Sequence, residues 1–360
     1  MITTILIFLV VLSVLVLAHE WGHYFTAKKI GAKVEEFGLG FPPRLFSWKG
    51  KDGMEWSINL IPIGGFVKIK GESGDDRKDP DSFAKKPIPL RIIVLLAGVF
   101  MNLVIAAVIF AIGFGVGLPA VTEDGVGKYA IVTEEAVSVT DVLPESPSET
   151  SGLKVGDEVL AINGVEYTVA AEAREVLFTA QDGDVFEFLV DREGEQTTVS
   201  VESAYVEELE RAGLGVILLD TGTVRYPWYL APAKGIELTV LYTGAITYAF
   251  YDIIRDLIVG EGVSVAISGP VGIAEITGQA ASMGILALMN FTAILSINLA
   301  ILNVLPFPAL DGGRVVFALL EAIRRKPVSP KLEAVVHNLG FALLMILVIL
   351  VTYRDVLNLI

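Results

Sequence analysis

The sequence predicts an α-helical multi-pass membrane protein with four transmembrane helices and one small mixed domain of strands and helices inserted between the second and third. Of the 360 residues, 53% are hydrophobic and 19% are charged, against about 45–50% and about 25% in soluble domains. Four stretches also lack charged residues over a length near the roughly 20 residues that cross a bilayer. The low charged fraction excludes a disordered chain and a nucleic-acid-binding protein.

The four predicted transmembrane helices cover residues 2–18, 92–118, 286–305 and 334–353. We interpret the first as a membrane span and not a secretory signal, because no basic segment precedes it and no small-residue cleavage site follows it. A fifth apolar stretch, at 238–251, has only 14 uncharged residues. The charged residues that flank it share one face of a helical wheel, which predicts an amphipathic helix lying on the membrane surface.

The charges of the loops predict the orientation of the spans. Residues 26–91 hold 13 Lys and Arg against 9 Asp and Glu, whereas residues 120–230 hold 6 against 23. Five more basic residues lie between the third and fourth spans: Arg314, Arg324, Arg325, Lys326 and Lys331. Since basic loops stay in the cytoplasm, we expect the acidic segment and both termini outside the plasma (inner) membrane. The first and third spans then run in the same direction.

The acidic segment has the patterns of a folded domain. Residues 152–164 comprise a turn, a short apolar strand and an Asn163–Gly164 turn. Two further short strands are predicted at 184–190 and 195–201, and residues 169–180 have helical spacing. The sequence contains no internal repeat and no low-complexity stretch.

The first span ends in the pattern His-Glu-x-x-His, formed by His19, Glu20 and His23. Residues four apart on a helix differ by about 40° around its axis, so the two imidazoles face one point. Two neutral imidazoles suit Zn²⁺, and Glu20 can reach a nearby water without occupying a ligand position. The alternative is a pair of polar residues at a helix–water boundary, which we consider less favourable because ionisable groups inside a hydrophobic helix are costly.

A catalytic zinc needs a third protein ligand. The chain has no Cys, and His337 begins the fourth span without a supporting pattern. Asp311 is the only acidic residue between Glu275 and Glu321, and it follows the third span. If the first and third spans are parallel, Asp311 reaches the depth of His19 and His23, so we predict it as the third ligand. Its alternative role is that of a turn residue before two glycines.

Polar and helix-breaking residues near Asp311 predict a place for substrate. Asn298 and Asn303 lie in an apolar helix and need partners, either neighbouring helices or the backbone of an unwound substrate. Pro306 and Pro308 break the helix just before Asp311. Broken backbone at membrane depth is tolerated where it is buried or lines a water-filled cavity. We therefore expect these four residues around a substrate cavity.

Residues 58–69 predict a short apolar β-hairpin whose turn lies at 62–65 and includes Gly64 and Gly65. Strand edges can pair with an extended peptide. We expect this hairpin to contact substrate, with an ordinary cytoplasmic hairpin as the alternative.

Together these motifs resemble the site-2 protease family of intramembrane zinc metalloproteases, in its bacterial RseP/RasP-like branch. The matching stretches are residues 19–23, 37–41, 61–68, 268–273 and 303–313. The resemblance implies that His19, His23 and Asp311 bind zinc and that Glu20 is the catalytic acid and base. It also implies a PDZ-like domain outside the membrane and a hairpin at 58–69 that is associated with the membrane. One departure is Ala97–Gly98–Val99, where the family often has Ala-Gly-Pro.

The resemblance further implies regulated intramembrane proteolysis of single-span membrane proteins, such as anti-sigma factors or remnant signal peptides, after an initial cut outside. The expected division is 1–120 with the first two spans, 121–219 as the PDZ-like domain, 220–282 as the membrane-surface region, and 283–360 with the last two spans. The expected partners are these substrates and the lipid bilayer, without nucleic acid. A catalytically inactive scaffold of the same fold and a transporter are the alternatives, and the PDZ-like domain could either filter or capture substrates.

Overall fold

The computed structural model describes residues 2–74, 76–123, 125–192, 194–206, 209–260 and 269–358. Ser268, the first residue of one family-like stretch, lies outside the described residues. The chain divides into two compact units. The first comprises Met1–Ile112 and Pro232–Ile360, and the second comprises Gly113–Ala231.

Helices make up most of the first unit. In chain order the helices of the described residues are α1 (Ile2–Lys29), α2 (Ile88–Val116), α3 (Pro147–Thr150), α4 (Ala170–Phe178), α5 (Ala231–Val259), α6 (Pro270–Ser282), α7 (Ile285–Val304), α8 (Asp311–Arg324) and α9 (Pro330–Asn358). Among them, four are long and apolar enough to cross a membrane, and they cover Thr3–Lys29, Ile88–Val116, Ile285–Val304 and Pro330–Leu357. These are the four predicted spans. Helix α5 is not among them and contains the stretch predicted to lie on the membrane surface, a placement that stays a prediction.

Contacts between side chains give the relative directions of the spans. His23 reaches Val94 and His19 reaches Asn102, so α1 and α2 run antiparallel. Asp311, which follows α7, contacts His19 near the end of α1. Gly278, which precedes α7, packs on Thr4 at the start of α1. Helices α1 and α7 are therefore parallel, in agreement with the predicted topology. Which membrane face each end occupies stays a prediction.

The first unit also contains a sheet of two long strands, β1 (Val34–Lys49) and β2 (Glu55–Ile69). Residues 36–39 pair with 65–68 and also with 55–58, while 44–49 pair with 55–59. Both strands therefore fold back, and four short segments lie side by side in the order 44–49, 55–59, 36–39 and 65–69. The chain does reverse between 59 and 65, but the predicted hairpin at 58–69 is wrong in its pairing. Its two arms do not pair with each other, because residues 36–39 lie between them.

The second unit is a twisted antiparallel sheet with two short helices. Its strands are β3 (Leu118–Val121), β4 (Ile131–Val142), β5 (Glu158–Ile162), β6 (Val165–Glu166), β7 (Val185–Arg192), β8 (Glu195–Glu202), β9 (Ala204–Val206), β10 (Arg211–Gly213) and β11 (Val216–Arg225). The main sheet has the order β3-β11-β4-β5-β7-β8, with β6 paired to β5. Alternate residues of β7 and β8, including Phe188, Val190 and Val201, are fully buried against α4. The period-two pattern of these strands thus builds the core of the unit.

Two local features of the second unit follow from the sequence. Asn163 and Gly164 both have positive φ, at 51° and 75°, as a tight turn between β5 and β6 requires. The predicted bounds of the domain are too narrow. Strand β3 pairs with β11, so both strands belong to the unit. The predicted start, residue 121, is the last residue of β3, and the predicted end, residue 219, lies inside β11.

Candidate metal centre

Three potential ligand atoms from distant parts of the chain meet at one point. Asp311 Oδ2 lies 2.9 Å from His19 Nε2 and 3.2 Å from His23 Nε2, and the two Nε2 atoms are 3.1 Å apart. Both imidazoles are 8% exposed, and this is the one group of three metal-binding side chains found among the described residues. Two imidazoles and a carboxylate form the donor set of a catalytic zinc with an open position. The residues present therefore fit this metal.

The outward nitrogens of both imidazoles have neighbours that hold the rings. His23 Nδ1 lies 2.8 Å from the carbonyl oxygen of Val94, to which it donates. His19 Nδ1 lies 3.4 Å from the amide of Asn102, whose Oδ1 is buried without a partner. With this amide turned over, Oδ1 accepts the Nδ1 hydrogen of His19, and the buried oxygen is satisfied. Both Nε2 lone pairs then face the metal position, as in other metal sites with supported imidazoles.

Glycines allow α2 to approach the imidazoles. A methyl group on Gly98 would lie 2.5 Å from His23 Nε2 and 2.7 Å from His19 Nε2. One on Gly22 would lie 2.3 Å from the carbonyl oxygen of Ala97. Since real Cβ contacts do not come this close, both glycines are needed for α1 and α2 to pack at this distance.

Asp311 is positioned by a loop that leans on α9. It is the first residue of α8, and Gly312 and Gly313 pack on the carbonyl oxygens of residues 304, 305 and 307. The backbone N–H of Ala309, a residue with φ of 82°, donates to His337 Nδ1 over 2.9 Å. Gly340, one turn further along α9, leaves room for Pro308. Helix α9 thus fixes the loop that carries the third ligand.

The charge state of Asp311 suits a ligand. Burial alone would raise the pKa of this carboxyl, but the adjacent imidazoles lower the pKa by more than burial raises it. The pKa therefore lies below its ordinary value. The carboxylate is therefore ionised at neutral pH.

A cavity of about 310 Å³ opens beside the three ligands. It is lined by Val16, His19, Glu20, Phe41, Gly64, Gly65, Asn102, Leu299, Asn303, Ala309, Leu310 and Asp311. Glu20, Asn303 and the two predicted glycines of β2 are therefore brought to the metal centre.

Three residues predicted around the cavity lie elsewhere in the described structure. Asn298 satisfies its amide within its own helix, where Nδ2 donates to the carbonyl oxygen of Ile294 over 3.1 Å. Pro308 packs against Gly340 of α9, and Pro306 is not among the lining residues. Both prolines still end α7 and shape the loop, and a contact of these three residues with substrate stays a prediction.

Sequence reasoning missed three supporting residues. His337 was set aside as a ligand, and its role in holding Ala309 depends on tertiary packing. Gly340 carries no signal of its own. Gly98 stands in the stretch that resembles the family's Ala-Gly-Pro, and it precedes Asn102 by four residues and so shares its helix face.

The comparisons with known proteins agree with this geometry. The model of peptidase family M50 matches residues 7–347. The chain belongs to this family. Two proteins named zinc metalloprotease RasP, from Shouchella clausii and Geobacillus kaustophilus, are each 30% identical over 98% of this chain and cover 98% and 97% of their own lengths. A protein of Clostridium perfringens is 35% identical over 97% of both chains. The protein is accordingly a zinc metallopeptidase of the site-2 protease type.

Among solved structures, the chain is similar to the PDZ domain of an SdrC-like protein from Listeria monocytogenes. The similarity has a TM-score of 0.22 and 19% sequence identity, and covers 24% of this chain and 92% of that domain.

Proposed function

We propose that this peptidase hydrolyses single-span membrane proteins at a bond within the bilayer, after their outer portions have been cut. The observation that carries the proposal is the place of the metal centre in the helices. His19 and His23 lie inside the candidate span Thr3–Lys29, and their supporting groups on α2 lie inside the span Ile88–Val116. A peptide bond that reaches this centre must therefore enter among membrane helices.

In this proposal His19, His23 and Asp311 hold zinc and Glu20 transfers protons. Bound zinc polarises the scissile carbonyl and lowers the pKa of a water towards about 7. Glu20, beside His19 in sequence and on the cavity wall, accepts the proton of the attacking water and delivers it to the leaving nitrogen.

The cavity walls suit an unwound substrate. A helical substrate shields its amides with its own hydrogen bonds, so the cleaved segment has to become extended. Gly64 and Gly65 have no side chains to fill the cavity, and the amide of Asn303 is free to bind a substrate carbonyl or N–H. We propose these three as the residues that contact the extended backbone.

We further propose that the second unit is PDZ-like and lies outside the plasma membrane, with the metal centre nearer the cytoplasmic face. Two observations support this orientation. The loop before α2 is basic, and residues 120–230 carry 23 acidic against 6 basic residues. Anti-sigma factors and remnant signal peptides are substrate classes that such an arrangement fits.

The test uses the full chain in proteoliposomes with a single-span reporter that lacks its outer domain. Mass spectrometry of the products locates the cut, and we expect it inside the reporter's apolar span. Asp311→Ala protein is the matched inactive control and should also lose zinc. Cleavage confined to water-exposed segments of the reporter would contradict the proposal, and zinc-loaded protein without any turnover would favour the inactive scaffold.

A further inference from the structure

Away from the metal centre, the first unit has a second cavity, of about 450 Å³, with a strongly basic lining. Its charged residues are Arg77, Lys86, Arg91, Arg325, Lys326 and Glu321. Five cations therefore surround one carboxylate. Such a surplus of like charge in one cavity is unfavourable unless an anion binds there.

Glu321 holds two of the guanidinium groups side by side. Its Oε2 accepts from Arg91 Nη1 over 2.6 Å, and its Oε1 accepts from Arg77 Nη2 over 2.7 Å. Glu321 is 5% exposed and Arg91 is 7% exposed. Burial raises the pKa of the Glu321 carboxyl, but its hydrogen bonds with the two arginines lower it more, so the carboxylate is charged. Glu333, 8% exposed, is a second carboxylate whose charge acts on both arginines, so the surplus of positive charge in the lining comes from Lys86, Arg325 and Lys326.

The Arg91 side chain is held in place at the wall of this cavity. Its guanidinium carbon lies 5.5 Å from the ring centroid of Phe83. Guanidinium groups bind phosphate in paired geometry.

The cavity lies where membrane spans begin. The candidate span of α2 starts at Ile88, which lines the cavity, and the span of α9 starts at Pro330, a few residues after the lining residues Arg325 and Lys326. The first turn of α2 adds the positive end of a 29-residue helix. Lipid headgroups occupy this level of the bilayer, and basic pockets between transmembrane helices bind anionic headgroups.

We propose that this cavity binds the phosphate of an anionic phospholipid headgroup. The arginines, paired on Glu321, contact the phosphate, and Arg325 and Lys326 on the exposed turn attract it. The proposal goes beyond the proteolytic function and does not depend on it, because lipid binding is measured without substrate or turnover.

The test compares lipid binding to the full-length protein in detergent by native mass spectrometry. The probes are phosphatidylglycerol and phosphatidylcholine, titrated against wild-type protein and the double variant Arg325→Gln/Lys326→Gln. Both residues are exposed, so their removal does not empty the core. The matched control is Lys49→Gln/Lys51→Gln, which removes the same charge at exposed positions outside the cavity.

We expect phosphatidylglycerol to bind more tightly than phosphatidylcholine. The double variant should lose about 30-fold of that affinity, since each basic residue near an anionic surface contributes about 1 kcal/mol, and the control should keep it. Equal binding of the two lipids by the wild type, or unchanged phosphatidylglycerol binding by the double variant, would overturn the proposal. Displacement of phosphatidylglycerol by millimolar inorganic phosphate would also overturn it, because the site would then take a soluble phosphate.

Discussion

Gly98→Ala should separate zinc binding from helix stability. The new methyl group would lie 2.5 Å from His23 Nε2 and 2.7 Å from His19 Nε2, about 0.7–0.9 Å inside the shortest ordinary contact of about 3.4 Å. The imidazoles are held from behind by Val94 and Asn102, so they cannot move without losing those contacts. Zinc sites tolerate changes of about 0.2 Å in ligand distance. We therefore expect zinc affinity to fall about 10- to 100-fold, the range seen when supporting groups are lost.

The opposite effect is expected on the helix itself, because Ala is favoured over Gly in a helix by about 1 kcal/mol. Zinc affinity is measured by competition with a chromophoric chelator, and helix content by circular dichroism. Gly115→Ala is the matched control in the same helix, where a methyl group meets no atom within 4 Å. Wild-type zinc affinity in Gly98→Ala would refute the packing described for α1 and α2.

Three further predictions concern other parts of the molecule. His337→Phe removes the acceptor of the Ala309 N–H while keeping an aromatic ring against Phe317, so zinc affinity should fall about tenfold, whereas His337→Gln should keep part of the affinity. Equal zinc affinities in the wild type and both variants would show that α9 does not support Asp311. Because the chain has no Cys, a single introduced cysteine reports on which side of the membrane its position lies. In intact cells a cysteine that replaces Ser73 or Ser329 should be protected from an impermeant thiol reagent, and one that replaces Thr198 should react. The reverse labelling pattern would contradict the proposed orientation. If the second unit filters substrates, replacing residues 118–225 by a flexible linker should leave the cleavage of short-tailed reporters intact and make reporters with full outer domains cleavable. Loss of both cleavages in a folded, zinc-loaded protein would instead support capture of substrates by the second unit.

The sequence predicted the metal centre because helical periodicity alone aligns His19 with His23. The direction of the spans then brought Asp311 to the same depth. The sequence could not predict the supporting contacts, since Gly98, His337 and Gly340 act through helices that are distant in sequence. The amide of Asn298 bonds within its own helix, a partner that no spacing in the sequence reveals.

The strands were predicted less evenly. In the second unit, the short apolar runs and the Asn163–Gly164 turn indicated β5, β7 and β8 closely, but not the two-residue strand β6. In the first unit, the reversal near Gly64 was predicted, but its pairing was not. Register there depends on residues 36–39, which come before the predicted hairpin in the chain, and a local pattern cannot show which segment lies between two arms.

The Glu20→Gln protein tests the proposed proton transfer most directly. Zinc content, by atomic absorption on purified protein, and cleavage of a single-span reporter, by the same preparation in proteoliposomes, are measured together. We expect about one zinc per chain and no detectable cleavage, because the amide cannot accept the proton of the attacking water. Normal cleavage by zinc-loaded Glu20→Gln protein would contradict the assignment of Glu20 as the proton-transferring residue.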